Sequence, residues 1–143
     1  MQSIIGKEYP IKVIPLIDAA KQSIKIIVYD WRWYPNEPGN PAQLFNQSIV
    51  RANRRGVEVK VISNVQDVIA ILKSQGCDAR RPTTSKMIHA KMILIDDKIL
   101  VLGSHNFTQS AFTMNYEISL ILDDEQPLDN FINFFNNLYN NYV

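Results

Sequence analysis

Two apolar runs on either side of a charged triplet constrain this chain more than any other feature. Residues 87 to 95 and 99 to 102 flank Asp96-Asp97-Lys98. In the first run Ile88, Ala90, Met92 and Leu94 occupy one parity and Ile93 and Ile95 the other, which is the pattern of a largely buried strand. The triplet reads as a tight turn, and Ile99 to Leu102 runs back as a second strand ending at Gly103-Ser104.

The polar residues on this hairpin are few, and their placement suggests chemistry. His89 and Lys91 share a parity, so both leave the same face, within about 7 Å of each other at two residues' rise. Asp96 has the opposite parity and is expected to point away from the imidazole, tying down the hairpin instead of reacting. The returning strand brings Ser104, Asn106 and the amides around Gly103 back towards Lys91. One compact cation, hydroxyl and amide donors and a nucleophile together suit a phosphate. Glu117 opens a further strand, residues 116 to 122, and a carboxylate there is expected to orient the imidazole by accepting a hydrogen from its second nitrogen.

His89, Lys91 and Asp96 form His-x-Lys-x4-Asp; Gly103, Ser104 and Asn106 form Gly-Ser-x-Asn; Glu117 follows. Each piece alone is common. In this order, on a strand, a turn and a strand, they resemble the single-motif members of the phospholipase D superfamily, most closely its small bacterial endonucleases. The likeness extends upstream to residues 17–24 and 54–59, and so covers nearly the whole chain. It implies an α/β fold, an α-β-α sandwich with a mixed sheet flanked by helices. It also implies a mechanism: one histidine attacks phosphorus to give a phosphohistidine, a histidine from a second motif protonates the leaving oxygen, and no metal or other cofactor is needed. This chain has one motif and no internal repeat. The resemblance therefore implies a homodimer that pairs two His89 side chains across a two-fold axis. Lys91, Ser104 and Asn106 would hold the nonbridging oxygens. With one imidazole neutral and the other protonated, the rate is expected to be bell-shaped in pH.

The rest of the chain reads as alternating helices and strands, which by itself points to an α/β sandwich. Helices are expected over residues 12–22, 42–55, about 65–75 and from about 128 onward; strands over 23–31, 57–63 and 77–80. The last helix carries Leu128, Phe131, Ile132, Phe135, Leu138, Tyr139 and Tyr142 on one face and six asparagines opposite, a core-packing stripe. Between the first strand and second helix lies a loop, residues 32–41, in which Arg32, Trp33 and Tyr34 follow Trp31. Its aromatics either cover the end of the sheet or form a stacking surface for bases. Arg80, Arg81 and Lys86 lead into the His89 run and are candidates for a basic rim facing a phosphate backbone. His105 lies inside the Gly-Ser-x-Asn turn and is expected to be an exposed residue within reach of substrate.

At 143 residues the chain is expected to be one domain spanning 1–143. Its net charge of +1 is not the footprint of a protein that coats nucleic acid, so affinity for it must come from local clusters. One cysteine excludes an internal disulfide, and two histidines sixteen apart give no metal-ligand spacing. No leader-like N-terminal segment and no apolar run near 18 residues is present, so the expected location is cytoplasmic and a membrane partner is not expected; a trimmed secreted or periplasmic form would look the same. The expected activity is metal-independent cleavage of DNA, or of RNA. The alternatives are a lipid phosphodiesterase and a nucleic-acid-binding module without turnover. Defence, repair and scavenging all fit.

Overall fold

A computed structural model describes residues 1–143. In chain order it contains β1 (Gln2–Ile5), α1 (Glu8–Asp18), β2 (Ser23–Val28), α2 (Pro41–Arg54), β3 (Glu58–Ser63), α3 (Gln66–Ser74), β4 (Asp78–Arg80), β5 (Met92–Ile95), β6 (Ile99–Gly103), α4 (Gln109–Thr113), β7 (Ile118–Leu122) and α5 (Asp129–Asn141). The strands form one sheet in the order β1-β7-β6-β5-β2-β3-β4. β2, β3 and β4 run parallel, as helical crossovers require, while the remaining neighbours are antiparallel. This is the mixed α/β sandwich that the pattern of elements implies.

The two faces of the sheet are covered unequally. Ile24, Ile26, Val59, Val61, Ile93 and Ile95 pack against Val13 of α1, Phe45 and Ile49 of α2, Leu72 of α3 and Phe112 of α4. On the opposite face Ile27, Ile62, Met92, Leu94 and Leu100 meet α5 alone, through Leu128, Phe135 and Tyr139. The double parity of the 88–95 run follows from this arrangement, since β5 lies in the middle of the sheet with helices on both sides.

Local chemistry sets the element ends. Asn40 caps α2 by accepting from Ala42 N at 2.9 Å, with Pro41 at the first helical position. The β5–β6 turn has Asp96 and Asp97 at φ of 55° and 53°, with Lys98 N donating to Ile95 O at 3.0 Å. Both central residues are left-handed, as a two-residue type I′ hairpin turn requires.

Several expectations need correction. The first helix spans 8–18, not 12–22, so Pro15 lies in its interior. Residues 21–23 cannot extend it, because their N–H groups donate to the Asp96 carboxylate. β5 begins at Met92, not residue 87: its neighbour β2 ends at Val28, so residues 88–90 lack a strand to pair with on that side. Residues 29–31 likewise leave the sheet, and Trp31 makes only an isolated bridge with Phe107. The edge strand β1 and the five-residue α4 have no sequence periodicity long enough to announce them.

Candidate active site

Four chain segments meet at one end of the sheet. The β5–β6 hairpin sets Lys91 opposite Gly103, whose N–H donates to Lys91 O at 3.3 Å. β7 enters alongside, with Ser104 N donating to Ile118 O at 3.0 Å, so Glu117 arrives next to Ser104. β2 leaves on the other side, carrying Tyr29 and Asp30. Glycine is needed at position 103 because of crowding: a Cβ there would stand 2.2 Å from Ser119 Oγ and 2.3 Å from its Cα.

His89 and Lys91 are brought together as their shared parity implies. Lys91 Nζ lies 3.1 Å from Nδ1 and 3.3 Å from Nε2 of His89, and donates to the His89 carbonyl at 3.0 Å. The His89 side chain is open to solvent, and the Tyr29 ring backs it at 4.9 Å between centroids. Tyr29 is a site residue that sequence reading missed. Its place follows from the turn that the chain makes after β2 ends at Val28, beyond the paired part of the sheet. Lys91 is partly buried, and that burial lowers its pKa from the ordinary lysine range; the negative charge of Glu117 partly offsets the effect.

Glu117 is not where the expectation put it. Its Oε1 accepts from Ser104 Oγ at 2.5 Å and its Oε2 from Asn115 Nδ2 at 3.1 Å, and it makes no hydrogen bond to His89. Ser104 Oγ in turn accepts from Ile118 N at 3.0 Å. The carboxylate therefore fixes the serine and acts on Lys91 through its field, and the side-chain group that lies within hydrogen-bond distance of the His89 nitrogens is the Lys91 ammonium instead. Asn115 is a second residue that the sequence gave no reason to select. Asn106 Oδ1 accepts from Asp30 N at 3.0 Å, and this leaves its amide hydrogens available. That bond and the reciprocal pair Arg32 N to Phe107 O and Phe107 N to Asp30 O, both 3.0 Å, clamp the end of β2 to the Gly-Ser-x-Asn turn.

His105 corrects the expectation of an exposed residue touching substrate. It is 1 % exposed, with Nδ1 2.7 Å from Ser119 Oγ, Nε2 2.8 Å from Gly6 O, and its ring 4.6 Å from that of Tyr9. A carbonyl only accepts, so Nε2 carries the hydrogen and Nδ1 accepts from the serine hydroxyl. Burial lowers its pKa, against a smaller opposing pull from the Gly6 carbonyl and Glu117. The imidazole thus joins the turn after β6 to β7 and to the bend between β1 and α1.

Asp96 turns away from the site, as its parity implies. Its Oδ1 accepts from Gln22 N at 2.7 Å and Ser23 N at 3.0 Å, and its Oδ2 from Lys21 N at 3.0 Å. The expected basic rim is divided. Arg80 pairs with Asp78 at 3.0 Å and covers the Tyr139 ring at 4.4 Å, an arrangement that serves the edge of the sheet. Arg81 and Lys86 are exposed and make no ion pair. Arg32 is exposed and pairs with Asp30 at 3.0 Å. Trp33 is half-buried against the core, and Trp31 is wholly buried, its indole N–H donating to Asn46 Oδ1 at 2.6 Å, so neither offers the open stacking surface considered for that loop.

Comparison with known proteins bears on the family and the fold. Residues 13–139 match the family model described as cardiolipin synthase, PLD-like domain. A phospholipase D of Rickettsia typhi is 27% identical over 138 residues, 92% of this chain and 63% of the relative. The mitochondrial cardiolipin hydrolase of Canis lupus familiaris is 27% identical over 130 residues, 87% of this chain and 48% of its own. The chain thus spans roughly half to two thirds of the length of these relatives. Among solved structures, NucT from Helicobacter pylori superposes with a TM-score of 0.78 at 21% identity, covering 99% of this chain and 96% of its own. Nuc from Salmonella typhimurium, a phospholipase D family member, gives 0.80 at 23%, covering 99% and 95%.

Proposed function

This chain belongs to the phospholipase D superfamily, and we propose that it is a phosphodiesterase that cleaves nucleic acid at a site shared by two copies. The observation that carries the reading is the meeting of His89 and Lys91, 3.1 Å apart, with Ser104, Glu117 and Asn106 at one solvent-open end of the sheet. A phosphodiester resists attack because its oxygens are charged and its leaving alkoxide is poor. Lys91 and the Asn106 amide meet the first difficulty by binding the nonbridging oxygens, while Ser104, its hydroxyl hydrogen given to Glu117, holds that carboxylate in place.

The lone pair of one His89 attacks phosphorus, the bond to the leaving oxygen breaks, and the second copy's His89 gives that oxygen its proton. Water, deprotonated by the now neutral second imidazole, then attacks phosphorus and breaks the P–N bond. One chain supplies only one such imidazole, so the mechanism needs a partner. Met114, Tyr116 and Ile118, all exposed beside Glu117, give apolar surface on which the second copy would sit.

Nucleic acid is preferred because the exposed cations without acidic partners, Arg81 and Lys86, lie on the segment leading into His89. The second reading is a lipid phosphodiester, favoured by the names of the Rickettsia and Canis relatives. The test is incubation with labelled single-stranded DNA, duplex DNA, RNA and cardiolipin vesicles in excess EDTA from pH 5 to 8, beside His89→Ala. Cleavage of a nucleic acid in EDTA that the variant lacks is expected. Cleavage surviving His89→Ala overturns the mechanism, and cleavage of vesicles alone overturns the substrate.

A further inference from the structure

Beside His89 the chain builds a pocket that the phosphate chemistry leaves unused. Residues 84–89 form one wall and the outer edge of α5 the other, and Thr83 N–H ties them by donating to Tyr142 O at 2.7 Å. The cavity holds about 350 Å³, at the small end of ligand sites, roughly 300–1,000 Å³. Ile88 and Leu138 supply an apolar lining, and Phe134 and Tyr142 stand over it 48% and 43% exposed. The neighbouring aromatics of the same helix, Phe135 and Tyr139, stack on each other inside the core at 5.4 Å. The outer two have no ring to stack on.

Three side chains of this pocket have donor hydrogens to give. Thr84 Oγ1 already accepts from Lys86 N at 3.1 Å, and Asn137 Oδ1 from Asn141 Nδ2 at 3.0 Å, which leaves the threonine hydroxyl hydrogen and the Asn137 amide hydrogens to give. The Lys86 ammonium makes no ion pair. Two unstacked aromatic rings, two outward donors and a free cation within one nucleotide's reach of His89 match one ligand: a flat heterocycle with carbonyl and ring-nitrogen acceptors, attached to a phosphate.

We propose that this pocket is the subsite for an unpaired nucleobase next to the scissile phosphodiester, stacked on Tyr142 and Phe134 with its neighbouring phosphate on Lys86. The proposal rests on the nucleic-acid reading above and narrows it to strands whose bases are free to leave a duplex. Base–aromatic stacking tolerates every sequence, because every base has a π-face. An acyl chain suits the pocket less well, since it would leave the threonine, asparagine and lysine donors unmatched.

The test compares kcat/KM on an oligothymidylate with kcat/KM on the same deoxyribose-phosphate strand lacking bases. The base-bearing strand should be preferred by about fivefold to a hundredfold, the range expected for one stacked base. In Tyr142→Ala and in Phe134→Ala the ratio should fall towards one, while Tyr142→Trp keeps it. Far-UV circular dichroism of each variant checks folding. Equal rates on the two strands, or a ratio unmoved by both alanine variants, overturn the subsite while leaving the nuclease reading intact. Cleavage of neither strand, with or without cleavage of cardiolipin vesicles, overturns both.

Discussion

Replacing Asp96 by asparagine should cost stability and leave the chemistry alone. Its carboxylate collects the N–H groups of Lys21, Gln22 and Ser23 at 2.7–3.0 Å and sits on a left-handed residue, φ 55°. Asparagine tolerates that backbone conformation and keeps one oxygen to accept from Gln22 and Ser23, so the substitution removes the charge and the second acceptor, which serves Lys21. Hydrogen bonds to a charged acceptor contribute about 1.5–3 kcal/mol, against about 1 for neutral ones; partial exposure brings the expected cost to about 1–2 kcal/mol. Asp96→Ala strands all three donors and should cost about 3 kcal/mol. At roughly 3 °C per kcal/mol for a chain of this size, the melting temperature falls by about 3–6 °C in the first case and about 9 °C in the second. Burial of the carboxylate works against its charge, but the amides of Ser23, Gln22 and Lys21 outweigh it and hold the pKa below the ordinary carboxylate value. The folded pKa is the lower one, so the stabilisation is complete above the unfolded pKa, about 3.9, and is lost as pH falls through the folded value. Urea titrations of wild type and Asp96→Asn should converge in that acidic window and differ by a constant amount above it. At the strand rise Asp96 lies roughly 16 Å along the chain from Lys91, so kcat/KM measured well below the melting temperature should not change. An unaltered urea midpoint, or activity lost from a fully folded Asp96→Asn, would refute the structural role.

His105 should give the protein a separate pH window. Its folded pKa is lowered, so the unfolded chain takes up a proton first, and stability should decline as pH falls below about 6.5, well above the Asp96 window. In His105→Gln, urea titrations should show that slope flattened, and a slope unchanged by the substitution counts against the buried-imidazole account. Gly103→Ala places a Cβ 2.2 Å from Ser119 Oγ and should cost about 3 kcal/mol, seen as a lower melting temperature or as insoluble protein; a wild-type melt would show that β6 and β7 yield more easily than their packing implies. Mixing His89→Ala with Lys91→Ala protomers should restore little activity, because every mixed dimer still lacks one His89 and one Lys91; restoration towards half of wild type, the share of mixed dimers, would mean that one His89 and one Lys91 from different copies suffice.

The parts of the site that could be read from the sequence are those fixed by strand parity and hairpin closure. His89 beside Lys91, Asp96 turned away and Ser104 returning to the same end all follow from period-two geometry within one hairpin. What escaped depends on contacts between segments far apart in the chain. Glu117 was assigned to His89, but Ser104 and Asn115 lie closer and take both its oxygens. His105 was read as exposed because it lies in a turn, yet its partner Gly6 is 99 residues away and follows a strand with no detectable pattern. Helix α1 was placed four residues late because nothing near residues 21–23 shows that their amides are held by a carboxylate from another strand. Trp31 looked available because of its loop; the acceptor that buries it, Asn46, comes from the helix that follows.

The motif therefore divides into two kinds of residue, and the division explains why its spacing is rigid. Lys91 and His89 precede the paired part of β5 and face solvent, where a substrate can reach them. Asp96 ends β5 and faces the fold, gripping the start of β2, the strand whose far end carries Tyr29 against His89. β2 and β5 pair antiparallel in register, Ile24 with Ile95 and Ile27 with Met92, so a grip at Ser23 sets how far along β5 the Tyr29 ring arrives. A shift of that register would move the end of β2 along β5 and carry the Tyr29 ring away from His89. The four residues between Lys91 and Asp96 are the length of β5 itself, so the aspartate anchors one end of that strand to the fold while Lys91 and His89 stand at the other.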